Sequence, residues 1–246
     1  LQIDIGLVQD VIELLKIRLD VARALCHIRI CLVYVDVVKK NVRMFKEENM
    51  EKIYNSKVAI FGIGGVGGYV AEALARSGVT TFYLYDPDVI SITNLNRQIM
   101  ATYKTLGKDK VAAMKERILS INPDAEVYTY KMFVDANSIK DVNFENVDYC
   151  IDTLDTISTK ILLIKRCNEL NIPLISCMGT GNHFDPSSFK VMDLANTSYD
   201  PVAKVLRREL KKHNITHQKV VCSTEQPLNS VIEENGRHAP ASNAFT

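Results

Sequence analysis

A chain of 246 residues, 47% hydrophobic and 24% charged, has ordinary globular composition, enough for one substantial core and too little for two large domains. A formal net charge of +1 neither demands nor excludes a polyanionic partner, and no run of about eighteen uninterrupted apolar residues marks a transmembrane helix, so no membrane role is expected. The six cysteines form no C-x-x-C pair and no zinc-like set, which predicts a reducing, cytoplasmic setting without a disulfide framework.

Residues 1–44 read as an N-terminal extension. Val8, Val11, Ile12, Leu15, Leu19 and Ala22 share one helical stripe, and "IRICLVYVDVV" reads as a strand. Charges from Asp4 to Asp20 break the order that a signal peptide needs. Lys39 to Ser56 reads as a helical lead-in.

From Lys57 strands and helices alternate. "KVAIFGI" is a strand, and a glycine turn leads into a helix that Gly78 caps. "TFYLYD" is the next strand, and "GKDKVAAMKERILSIN" is an amphipathic helix that stops at Pro123. "EVYTYKMFV" and "VDYCID" are strands, "TISTKILLIKRCNELN" is a helix, and "IPLISCMG" is a strand. A basic helix, "VAKVLRRELKKH", precedes a short strand in "KVVCSTEQP". The strands are continuous apolar runs, so the spacing predicts an α/β, Rossmann-like, doubly wound and mainly parallel sheet with helices on both faces.

Gly62, Gly64 and Gly67 give G-x-G-x-x-G, and Asp86 follows about twenty residues later. Gly62 allows the turn out of the strand, Gly64 lets the backbone approach a phosphate, and Gly67 lets the helix pack closely. The helix N-terminus offers N–H groups to phosphates, and Asp86 offers acceptors to ribose hydroxyls. A nicotinamide enzyme fits less well, because "DPDVISITNLNRQ" crowds Asp86, Asp88, Asn94, Asn96, Arg97 and Gln98 after the second strand. Lys110 follows in "GKDK", and Asp152 and Asp155 stand in "CIDTLD". Two cations, amides and several carboxylates at one sheet edge suit a triphosphate with a divalent cation. The ordinary alternatives are a surface ion pair for Arg97, a solvated Lys110 and a helix-capping Asp152.

"GIGGVGGYVAEALARSG", "DPDVISITNLNRQ", "GKDK" and "CIDTLD" resemble the ATP-binding segments of the ubiquitin-activating-enzyme-like adenylyltransferases. Within that superfamily "NRQIMAT", "INPDAEV", "GTGNHFDPSSFKVMDLANTSYDPVAKVLRREL" and "VVCSTEQP" resemble the tRNA threonylcarbamoyladenosine dehydratases, over roughly residues 45–245. The resemblance implies ATP and Mg2+, adenylation of a threonylcarbamoyl carboxylate on tRNA, and ring closure with release of AMP. It implies Gly62, Gly64, Gly65 and Gly67 as phosphate loop, and Asp86, Asp88, Asn94, Arg97 and Lys110 around ATP. By the same resemblance Arg97, Lys110 and Asp155 would carry the chemistry, with Asp155 holding the metal. It further implies a homodimer and a sulfur-transfer protein as a partner. The family's N-terminal arginine has no clear match, and Lys40 or Arg43 stands nearest. Residues 45–246 would form the adenylating domain, without the family's apolar C-terminal helical tail.

Lys204, Arg207, Arg208, Lys211 and Lys212 form the basic face expected to contact tRNA, the alternative being a solvated helix face. Two further functions compete. An activator of a ubiquitin-like or sulfur-carrier protein would share the adenylation site, and a non-catalytic nucleotide-binding module would share only the fold. Cys222, near Lys219, is the cysteine that a thioester relay would use; the alternative for it is packing.

Overall fold

A computed structural model describes residues 39–228, 233–234, 237–238, 241–242 and 244. The stripe and strand read within residues 1–38 lie outside the described residues. The chain falls into two units, residues 1–50 and 51–246. The helical lead-in is two helices, α1 (Lys39–Phe45) and α2 (Glu47–Asn55), parted by Lys46 in the left-handed region at φ 67°.

In the second unit the strands are β1 (Lys57–Phe61), β2 (Thr81–Tyr85), β3 (Glu126–Tyr130), β4 (Tyr149–Asp152), β5 (Leu174–Cys177), β6 (Phe189–Asp193) and β7 (Lys219–Ser223). They form one sheet in the order β3-β2-β1-β4-β5-β7-β6, parallel except for β6. The helices are α3 (Gly67–Ser77), α4 (Lys110–Ile121), α5 (Ile157–Glu169) and α6 (Pro201–Lys211). A two-stranded ribbon, β8 (Glu233–Glu234) and β9 (Arg237–His238), follows.

Side-chain alternation along the strands sorts the core into two layers. Val58, Ile60, Phe82, Leu84 and Ile151 face Ala71 and Ala75 of α3 and Val111, Met114 and Ile118 of α4. Ala59, Phe61, Tyr83, Tyr85 and Cys150 face Leu163 and Ile164 of α5 and Ala203, Leu206 and Leu210 of α6. Each fully buried large side chain contributes about 1.5–3 kcal/mol. Covering both faces with helices is why these strands read as unbroken apolar runs. Gly78 ends α3 in the left-handed region at φ 113°, donating to Leu74 and Ala75 carbonyls.

Two strand readings need correction. β6 is not legible as a strand in the sequence: it is the antiparallel edge of the sheet, none of its residues is fully buried, and it lacks the apolar run of its neighbours. The third strand stops at Tyr130 and does not reach Val134, and its exposure partly alternates because β3 is the opposite edge.

After β3 the chain returns to the far side of β1 to make β4. The connections leaving β1 and β4 therefore diverge, and they open a crevice beyond the carboxyl ends of those strands. Phe61, Tyr85 and Tyr130 stack across the ends of three neighbouring strands, with ring centroids 4.7 and 4.6 Å apart, and stiffen that edge.

Candidate functional site

A cleft of about 720 Å³ occupies this crevice. Gly62, Gly64 and Gly65 line it, while Gly67 sits behind them. Gly62 takes φ 90°, and its N–H donates 2.8 Å to Tyr85 O. A Cβ on Gly67 would come within 1.9 Å of Gly62 O and 2.6 Å of Thr153 Oγ1, so only glycine lets α3 start this close to β1. Thr153, not singled out in the sequence, ties the loop to the end of β4 by donating 2.6 Å to Gly62 O. Neither Val66 before α3 nor Thr156 before α5 makes a side-chain cap, so both helices open beside the cleft without one.

Asp86 ends β2 and is buried. Its Oδ2 accepts from the Ile63 N–H at 2.7 Å and its Oδ1 from the Asp88 N–H at 2.9 Å, which braces the glycine loop from the side. Burial pushes its carboxyl above the usual aspartate value, against the pull of Lys110 and these two N–H donors. Lys110 opens α4, with Nζ 2.6 Å from the exposed Asp88 and 3.7 Å from Asp86. This buried ammonium is thereby held at the cleft wall, where a phosphate can replace a carboxylate as its partner.

The segment between β2 and α4 brings the amides and the arginine. Asn94 is buried, and its Oδ1 accepts from the Ser91 N–H at 3.0 Å. Arg97 is half-buried, with its stem 3.4 Å from where a Cβ on Gly65 would stand. Its Nη1 donates to Thr93 O and Asn96 Oδ1, both at 2.9 Å. Gln98 also lines the cleft and is buried, and its Oε1 has no partner. A buried acceptor without a protein donor is open to a hydrogen bond from water or a ligand.

Asp155 also lines the cleft and is exposed, and its Oδ1 accepts from Thr156 Oγ1 at 3.3 Å. Among the described residues no group of three or more His, Cys, Asp or Glu side chains stands together. One exposed carboxylate facing a phosphate site still fits Mg2+, which takes one or two carboxylates and completes its shell with water and phosphate oxygens.

Asp152 does not cap the following helix. It is fully buried, paired with Lys160 Nζ at 3.2 Å from each oxygen and hydrogen-bonded by Ser176 Oγ. Lys160 also donates 2.6 Å to Cys177 O, so one ammonium links the ends of β4 and β5 under the cleft. The sequence reading missed Lys160 because it falls in an ordinary amphipathic helix. Farther along the cleft come His183, buried beside Glu225, and Asp200, whose two oxygens accept from the Gly179 and Ala203 N–H groups.

On α6 and its C-cap residue, Lys204, Arg208, Lys211 and Lys212 are exposed. Arg208 and Lys212 both pair with Glu209. Arg207 departs from the expected basic face: it is half-buried, and its Nη1 donates to Leu194 O, Thr197 O and Thr197 Oγ1. Its place one helical turn from Ala203 puts it on the core side. Lys40 and Arg43 stand on α1 in the first unit.

The described cysteines, Cys150, Cys167, Cys177 and Cys222, are all buried and free. Burial pushes the Cys177 and Cys222 thiols up to about 11 each. No described helix is long and apolar enough to cross a membrane.

Sheet order, glycine loop and cleft together place the chain in the doubly wound α/β class of nucleotide-binding folds. The chain belongs to the ThiF family, whose model matches residues 38–232. It is 45% identical over 199 residues to the tRNA threonylcarbamoyladenosine dehydratase of Bacillus subtilis (strain 168), covering 80% of this chain and 78% of that protein. The crystal structure of the E. coli tRNA N6-threonylcarbamoyladenosine dehydratase, TcdA, in complex with ATP is similar at TM-score 0.77 and 34% identity, covering 80% of this chain and 84% of that one. The same enzyme in complex with AMP gives TM-score 0.81 at 31% identity, covering 87% and 88%.

Proposed function

We propose that this chain is an ATP-dependent tRNA threonylcarbamoyladenosine dehydratase. The carrying observation is that Gly62, Asp86, Asn94, Arg97, Lys110 and Asp155 line one cleft in a chain 45% identical to the B. subtilis dehydratase. The glycine loop and the start of α3 hold the triphosphate, and Asp86 takes the ribose hydroxyls. Arg97 and Lys110 neutralise charge as pyrophosphate leaves. Asp155, with Asp88 near the same phosphates, would hold Mg2+, which supplies Lewis-acid polarisation of the phosphate oxygens. The threonylcarbamoyl carboxylate attacks the α-phosphorus, and the ureido group then closes on the activated carbonyl and expels AMP. Bound geometry favours that closure, because intramolecular attack is worth about 7–11 kcal/mol over a bimolecular step.

The reading includes a cytoplasmic homodimer, an adenylating domain in residues 45–246 with 1–44 as an extension, and tRNA contact through Lys204, Arg208, Lys211 and Lys212. The carrier-protein reading gains no support from the described cysteines, since buried thiols pushed toward 11 are poor thioester formers. The test is to incubate the chain with ATP, Mg2+ and tRNA bearing threonylcarbamoyladenosine, then analyse the nucleosides. A cyclic product one water lighter supports the reading; its absence alongside pyrophosphate exchange on a sulfur-carrier protein refutes it.

A further inference from the structure

We propose that His183, oriented by Glu225, is the general base for ring closure; the proposal rests on the dehydratase reading above. Closure forms a bond between the ureido group and the carboxyl carbon of the adenylated threonyl moiety. The bond from that carbon to the AMP oxygen breaks, AMP leaves with the electron pair, and one ureido proton must be accepted. Adenylation needs no such base, because the attacking carboxylate is already ionised.

The cleft offers few acceptors for that proton. Asp86 holds two backbone N–H groups and Asp88 is paired with Lys110. Both oxygens of Asp200 accept backbone N–H groups. The Lys160 ammonium is committed to Asp152 and Cys177 O, and burial pushes the Cys177 thiol up to about 11. Asp155 is assigned to the metal in the reading above. His183 remains, and imidazole is the side chain whose proton affinity suits transfer near neutral pH.

Its setting resembles that of an oriented base. His183 lines the cleft, is only 4% exposed, and its Nδ1 has no hydrogen-bond partner. Glu225 Oε2 lies 3.5 Å from that Nδ1, a separation that shortens readily when a ligand fills a cleft. The carboxylate is itself fixed by the Phe184 and Asp185 N–H groups, each 3.1 Å from Oε2. Phe189 packs edge-on against the imidazole, with centroids 5.5 Å apart. A carboxylate beside Nδ1 favours the proton there, so Nε2 is left as the basic nitrogen. Glu225 is the carboxylate that stands against His183 Nδ1. Asp185, two residues on, turns its carboxylate to Ser187 and Ser188.

The experiment separates the two half-reactions. ATP–pyrophosphate exchange with threonylcarbamoyl-tRNA reports adenylation, and cyclic nucleoside reports closure. His183→Gln is expected to lower closure by about 10²–10⁴-fold and to keep exchange. Glu225→Gln, which removes the orienting charge, should lower closure as well and keep exchange. Closure by His183→Gln at the original rate, or loss of exchange together with closure, would overturn the assignment. An unaltered chain that exchanges pyrophosphate but makes no cyclic nucleoside would sink the dehydratase reading instead.

Discussion

Lys160 and Asp152 form a buried ion pair under the cleft, with Nζ 3.2 Å from both carboxylate oxygens and side chains only 2% and 0% exposed. Such a pair is weak evidence for stability as a whole, but removing one member strands a charge in the core. Lys160→Met should therefore cost about 3–5 kcal/mol in urea unfolding. It should also loosen the Cys177 carbonyl at the cleft wall. A loss under about 1 kcal/mol would place this pair with exposed ones.

Asp155 is exposed, and its carboxylate accepts from the neighbouring Thr156 Oγ1. Asp155→Asn should leave global stability within about 0.5 kcal/mol. Turnover should fall by orders of magnitude, most severely at limiting Mg2+. Turnover equal to the unaltered enzyme at limiting Mg2+ and saturating ATP would remove Asp155 from the metal site.

The basic helix divides into two kinds of residue. Reversing Lys204, Arg208 and Lys211 to Glu should weaken tRNA binding and leave ATP affinity alone. It should also flatten the salt dependence, by about 0.7–0.9 in log–log slope for each tRNA phosphate that no longer meets a cation. Arg207→Ala should act on stability, because its guanidinium holds Leu194 and Thr197 carbonyls. Normal tRNA affinity in the triple reversal would refute the RNA face.

The cysteines separate intramolecular closure from a thiol relay. Folded-state thiols pushed up to about 11 are protonated at neutral pH, so alkylation of Cys177 and Cys222 should be slow there and should accelerate as pH rises. Cys222→Ser should keep cyclic product within about tenfold, allowing for weakened packing. Complete loss of product in a folded variant that still exchanges pyrophosphate would require a thioester.

Much of this site was legible because local rules demand it. Gly62, Gly67, Asp86 and Lys110 sit at strand ends or helix starts, where short-range spacing fixes position. Lys160, Thr153 and His183 owe their roles to partners brought together by the sheet order, which no local window contains. Arg207 was readable in principle: Ala203, Leu206 and Leu210 are buried, and position 207 lies on their face. The net basicity of the segment outweighed that periodicity. β6 escaped because an exposed antiparallel edge has no need of a continuous apolar run.

The most direct test is ATP-dependent pyrophosphate exchange with three acceptors side by side: tRNA bearing threonylcarbamoyladenosine, the same tRNA without that group, and a sulfur-carrier protein. The account predicts exchange with the modified tRNA alone, accompanied by a cyclic nucleoside one water lighter. Exchange with the carrier protein and none with the modified tRNA would contradict it.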